Sequence, residues 1–125
     1  MRFMVFMLPN IETEADWMPS AEDVAEMTKY NQELEKAGVM LTGEGLHSQN
    51  LGTRIEFADD GKRTVTDGPF TEAKEAIGGY WIFQTKSKEE AVEWASRCPG
   101  KGCTLEVRQI FEMEEFPEDV QAAAR

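Results

Sequence analysis

Asp67 lies in the stretch Thr66-Asp67-Gly68-Pro69-Phe70-Thr71-Glu72-Ala73-Lys74-Glu75, which sets four charged side chains around a stiff corner. Gly supplies backbone angles that other residues avoid, while Pro fixes φ and cannot donate to a sheet ladder. A strand arriving at Asp67 must stop there, and the ionisable groups then hang from a loop held by rigid structure, where binding and catalytic groups concentrate. The chemistry these residue types suit is acid/base work. A carboxylate near apolar walls can be pushed toward neutrality, and His titrates there already. Asp67, supported by Glu44 or His47, would move a proton on a small polar substrate. Lys74 and Arg108 would hold an anionic substrate group or stabilise developing negative charge, with Glu72 and Tyr80 completing the substrate-binding set. A plainer alternative stands beside this one. Asp67 then caps the corner, Lys74 pairs with a neighbouring Glu, Glu106 and Arg108 form a structural ion pair, and His47 faces water. Glu44, His47 and Asp67 also make a set of one His and two carboxylates, which suits a hard or borderline divalent ion. Glu44 and His47 sit in a glycine-rich segment, however, where a spacing of three does not fix a common face, so no metal ligand is assigned, and the residues leave the cofactor unknown.

Composition limits what these residues can serve. With 125 residues, 41% of them hydrophobic, the chain has the size of one domain. A chain of that length buries about two thirds of its unfolded surface. Its formal charge of −11, from 24 acidic and 13 basic residues, repels nucleic-acid phosphates and anionic lipid surfaces. No window approaches the roughly 18 apolar residues of a membrane span. The apolar run at the N-terminus stops at Pro9, too short for a signal peptide, so a cytoplasmic location is expected. Cys98 and Cys103 are the only cysteines. They are expected as free thiols, since a bridge between them would close a small loop and a reducing compartment disfavours it. Two Cys and one His are too few for a structural zinc site.

The elements that position the candidate residues can be read in order. Arg2 to Leu8 is a strand with apolar groups on both faces: Phe3, Val5 and Met7 on one, Met4, Phe6 and Leu8 on the other. A polar connection carries Trp17, whose ring should dock on a neighbour or a partner subunit. Ser20 opens a helix with Asp23 as a variant capping box, Val24, Met27, Tyr30, Leu34 and Ala37 form its apolar stripe, and Gly38 ends it. A strand from Val39 to Thr42 leads into the open segment Gly43-Glu44-Gly45-Leu46-His47. Thr53 to Ala58 and Lys62 to Asp67 form a hairpin around Asp59-Asp60-Gly61. A three-residue loop with Gly61 left-handed pairs Ile55 with Val65 and Phe57 with Arg63, keeping apolar residues on one face, whereas a two-residue loop would scatter them. That register puts Asp67 opposite Thr53 on the inward face, looking toward a pocket. Tyr80 to Thr85 is a second strand apolar on both faces. Ser87 with Glu90 forms a full capping box for a helix with Ala91, Trp94, Ala95 and Cys98 on one side, stopped by Pro99. The last strand runs from Thr104 to Met113, with Leu105 and Val107 facing the helices and Glu106 and Arg108 turned away. Residues 1–113 form the domain, and 114–125 an acidic tail or short helix with Pro117 as its possible first residue.

Two helices cannot cover both faces of a sheet whose first strand and Tyr80 strand are apolar on both. Unless the acidic tail folds over the other face, a second copy packing sheet to sheet is expected to cover it, giving an α+β, ferredoxin-like split βαβ subunit with an inserted β-hairpin, paired as a dimeric α+β barrel.

The chain resembles the DGPF branch of the YCII-related superfamily. The likeness is carried by Thr66-Asp67-Gly68-Pro69-Phe70, continues through Thr71-Glu72-Ala73-Lys74-Glu75 and Gly78-Gly79-Tyr80, and recurs in Gly43-Glu44-Gly45-Leu46, Glu90-Ala91 and Glu106-Val107-Arg108. It covers about residues 1 to 111. Where the family usually follows its last Arg with Pro, this chain has Gln109. The resemblance implies the dimeric α+β barrel and, in the wider superfamily, an enzyme site using a His and an Asp, the latter matching Asp67. It also implies a possible link to sigma factors, beside which some members are encoded. Two kinds of function follow. One is small-molecule binding near the corner with acid/base catalysis by Asp67; the other is a non-enzymatic homodimeric module acting through a protein partner.

Overall fold

The computed structural model describes residues 1–10, 17–70 and 76–125. The elements run β1 (Arg2–Pro9), α1 (Ala21–Lys36), β2 (Met40–Gly45), β3 (Thr53–Phe57), β4 (Arg63–Asp67), β5 (Gly79–Gln84), α2 (Lys88–Ser96), β6 (Cys103–Gln109) and α3 (Glu118–Ala123), with short 3-10 turns at Gln49–Leu51 and Met113–Glu115. Four strands form one sheet in the order β2-β5-β1-β6, each neighbour antiparallel, and β3 with β4 forms a separate two-stranded sheet. This is the α+β, ferredoxin-like arrangement expected from the two-sided strands: β5 slots between β1 and β2, and β6 lines the far side of β1.

Local chemistry fixes the ends of α1. The Ser20 hydroxyl accepts the Asp23 N–H at 3.1 Å while the Asp23 carboxylate accepts the Ser20 N–H at 3.3 Å, a reciprocal box. At the other end Gly38 takes φ +70°. Its N–H donates to Glu35 O at 3.0 Å, and the Val39 N–H donates to Leu34 O at 2.9 Å, satisfying carbonyls that would otherwise be orphaned. The apolar stripe is shorter than its spacing suggests. Tyr30 and Leu34 are buried and Met27 half-buried, but Val24 in the first turn and Ala37 at the C-cap are exposed. In α2, the Ser87 hydroxyl accepts the Glu90 N–H at 3.1 Å, but the Glu90 carboxylate takes the Lys86 N–H at 3.1 Å instead of that of Ser87, so only half of the expected box forms.

The core lies between the helices and one face of the sheet. Phe3, Phe83, Leu34 and Val5 are its largest fully buried side chains, joined by Tyr30, Val39, Trp81, Ala91 and Ala95. Each large one contributes about 1.5–3 kcal/mol relative to exposure, so this layer dominates the stability of the subunit. Two polar contacts fix its orientation: Tyr30 Oη donates to Trp94 O at 2.7 Å, and Trp81 Nε1 donates to Asn31 Oδ1 at 2.9 Å. Tyr30 meets Trp81 edge to face at 6.0 Å between ring centres.

Three expectations about element ends need correction. The segment around Glu44 is not an open loop, because β2 continues to Gly45 and Glu44 lies opposite Tyr80 in the ladder with β5. Gly43 fits there because a Cβ would come within 2.7 Å of Trp81 Cδ1, so the glycine lets an edge strand pass the indole. The last strand ends at Gln109 rather than Met113: the Ile110 N–H still donates to Arg2 O at 2.9 Å, and the chain then leads into the 3-10 turn at Met113–Glu115. The tail is helical, with Pro117 as the residue before the first turn rather than within it.

Candidate functional site

Ladder register sorts the candidate residues without further assumption. On the sheet face turned away from the helices, one row reads Glu44, Tyr80, Phe6 and Glu106 across the four strands, and the next reads Thr42, Ile82, Met4 and Arg108. Glu44, Tyr80 and Arg108 therefore share one face. Met4, Phe6, Tyr80 and Ile82 are half-buried in the middle of it, while Glu44, Glu106 and Arg108 stand exposed on the edge strands. Apolar centre and ionisable rim make a surface able to hold a small molecule once something roofs it.

Asp67 belongs to the other sheet. The hairpin takes the three-residue register, with Thr53 opposite Asp67, Ile55 opposite Val65 and Phe57 opposite Arg63, and Gly61 adopts φ +86°. The Thr53 hydroxyl donates to Asp67 Oδ1 at 2.7 Å, the one polar partner of that carboxylate among the described residues. The expected inward face is, in this subunit, an outer one. Ile55, Phe57 and Val65 are 54%, 68% and 64% exposed, and Asp67 is exposed with them. The hairpin makes no extensive contact with any other helix or strand among the described residues, so none of those elements walls in Asp67.

The corner itself is tightly specified. The Gly68 N–H donates to Gly52 O at 2.9 Å, the Gly68–Pro69 peptide is cis, and a Cβ on Gly68 would overlap the Asn50 backbone. Phe70 lies under the Arg54 guanidinium, 3.7 Å from its ring centre. The turn at Gln49–Leu51 supplies the platform, its start held where the Ser48 hydroxyl accepts the Asn50 N–H at 3.2 Å. This motif thus has a structural use at each of Asp67, Gly68 and Phe70.

His47 is exposed just beyond β2, where Trp17 docks as its size required, donating from Nε1 to Leu46 O at 2.8 Å. No hydrogen bond or ion pair among the described residues joins His47 or Glu44 to Asp67. Nor does any group of three His, Cys, Asp or Glu among them lie close enough to hold a metal ion, so the carboxylate and imidazole set weighed from spacing does not assemble. Glu72 and Lys74 lie outside the described residues.

Sequence reasoning passed over Thr53 as the partner of Asp67 and Arg54 as the cover of Phe70. The register signalled the first, since it already set Thr53 opposite Asp67. It also passed over two cavities at the far end of the subunit, of about 280 and 310 Å³, the first lined by Val92, Ala95, Cys98, Cys103, Leu105 and Val107.

Among comparisons with known proteins, the family model of the YCII-related domain matches residues 1–114. No curated protein matches the chain.

Proposed function

The chain belongs to the YCII-related domain family, and from that premise we propose that it acts as a homodimer binding a small polar molecule, with Asp67 as the proton-handling group. Within the family we assign it to the DGPF branch, on the strength of the corner Asp67-Gly68-Pro69-Phe70. The observation that carries the reading is the sheet face turned away from α1 and α2, a half-buried apolar centre of Met4, Phe6, Tyr80 and Ile82 rimmed by Glu44, Glu106 and Arg108. A second copy laid on that face supplies the missing roof, since sheets packed face to face stand about 10 Å apart and bury such centres. Arg108, with Lys74 from the loop after the corner, would neutralise an anionic group of the ligand. Glu44 and Tyr80 would orient it, Glu72 would contact its polar rim, and Asp67 with His47 would exchange the proton.

A second reading is favoured by the hairpin. Its exposed Ile55, Phe57 and Val65 form the kind of apolar surface that a protein partner covers, which suits a non-enzymatic accessory role toward a protein such as a sigma factor. The net charge of −11 points such a role at protein rather than nucleic acid.

Thermal unfolding with a panel of small carboxylic acids, run on the wild type and on Asp67→Asn, separates the two. A compound that raises the melting temperature of the wild type but not of a folded Asp67→Asn supports the ligand site, because a ligand bound to the native state alone stabilises by mass action. A panel without effect, together with an Asp67→Asn chain that melts well below the wild type, makes Asp67 a structural residue and leaves the partner-binding role.

A further inference from the structure

The cavity beneath α2 is lined by both cysteines of the chain, which have no part in the site above. Cys98 follows the end of α2 and packs against the core; Cys103 is the first residue of β6, opposite Pro9. Both are free and half-exposed. Between them the loop turns so that both sulfurs converge on Gly100. A Cβ there would lie 2.5 Å from Cys103 Sγ and 3.7 Å from Cys98 Sγ, so the sulfurs are at most the sum of these, 6.2 Å, apart. The same numbers show why glycine occupies the position, since any side chain would wedge beside Cys103. Gly102, at φ +65° with open space where its Cβ would be, gives the loop a second adjustable point.

We propose that Cys98 and Cys103 form a redox modification site, converted by a hydroperoxide into an intramolecular disulfide that ties the end of α2 to the start of β6. With hydrogen peroxide, one thiolate attacks a peroxide oxygen, the O–O bond breaks, and the sulfur becomes a sulfenic acid while the departing hydroxide takes up the proton the thiol released and leaves as water. The second sulfur displaces the sulfenic oxygen as a second water, forming the S–S bond. Two thiols and one peroxide thus give one disulfide and two waters, with sulfur oxidised and peroxide oxygen reduced. Three features of the fold favour closure over further oxidation. The sulfurs are already close, the intervening loop carries two glycines, and the elements at either end are held by the core and by β1. The first step requires a thiolate. Burial acts against this at Cys98, pushing its thiol up, while the Gly100 N–H donates to its sulfur and partly offsets the effect.

The test uses the full reduced chain, treated with hydrogen peroxide and read by thiol titration and intact mass, with Cys98→Ser and Cys103→Ser alongside. Both thiols should disappear together, with loss of two hydrogens and no added oxygen. A thiol reductant should restore them, and non-reducing electrophoresis should show single chains. Each serine variant should instead gain oxygen at its remaining cysteine. Oxygen added to one cysteine of the wild type while the other still titrates would overturn the proposal. So would a bridge between two chains, or one that forms in denaturant but not in the native protein.

Discussion

Gly68 is the most constrained residue of the corner, because the space its side chain would need is filled by the Asn50 backbone. A backbone obstacle cannot rotate aside as a flexible side chain would. Gly68→Ala should therefore cost roughly 1–3 kcal/mol, the range for overpacking a filled site, read as a lower urea midpoint. Gly61→Ala makes a useful contrast, since nothing lies near its Cβ and only its φ of +86° opposes the change. At Asp67 the sequence disclosed the partner position but not the surroundings. Turn chemistry and register are local, so they placed the carboxylate opposite Thr53. What encloses it depends on whatever packs over the hairpin, and no residue between Thr53 and Asp67 encodes that. The same limit applies to Glu44 and His47: a spacing of three in a glycine-rich segment carries no direction, and Asp67 lies on another element.

At the scale of elements, alternation and caps were readable and termini were not. The hairpin register followed from Ile55, Phe57 and Val65 needing a common face, and both ends of α1 from Ser20 and Gly38. The end of β2 is set by how far β5 runs beside it, which is information held on another strand. The C-terminal segment shows how such an end is fastened. Arg2 Nε and Nη2 donate to the two carboxylate oxygens of Glu112 at 2.7 and 3.2 Å, linking the segment after β6 to β1, and Phe111 stacks on Phe116 at 4.9 Å between ring centres. The hydrogen bond from Arg2, with its charge, holds the Glu112 carboxyl below the usual carboxylate range. The folded value being depressed, its stabilising contribution is complete above the unfolded pKa of about 4.3 and disappears as pH falls through the folded value. Arg2→Met should thus loosen the segment at neutral pH and make no difference in strong acid. Amide hydrogen exchange at Phe111 to Phe116, measured at both pH values, checks this.

For the whole molecule, the sheet with helices on one side and a half-covered apolar face on the other leads to one expectation. Phe6 lies at the centre of that face, on an inner strand between Tyr80 and Glu106. Phe6→Glu should leave the subunit folded, since the helix-side core is untouched, yet turn a sedimenting dimer into a monomer at micromolar concentration. A wild type that sediments as a monomer would remove the basis for a roofed site.

The rung from Gly45 to Gly79 closes β2 onto β5, and everything from residue 46 to 78, including His47 and Asp67, departs and returns at that one point. The hairpin and its corner are in effect a cassette plugged into an ordinary antiparallel turn. Excision and replacement by a tight turn would leave the four-stranded scaffold continuous. The segment between these two glycines can accordingly change in length or sequence while the strand order of the frame stays as it is.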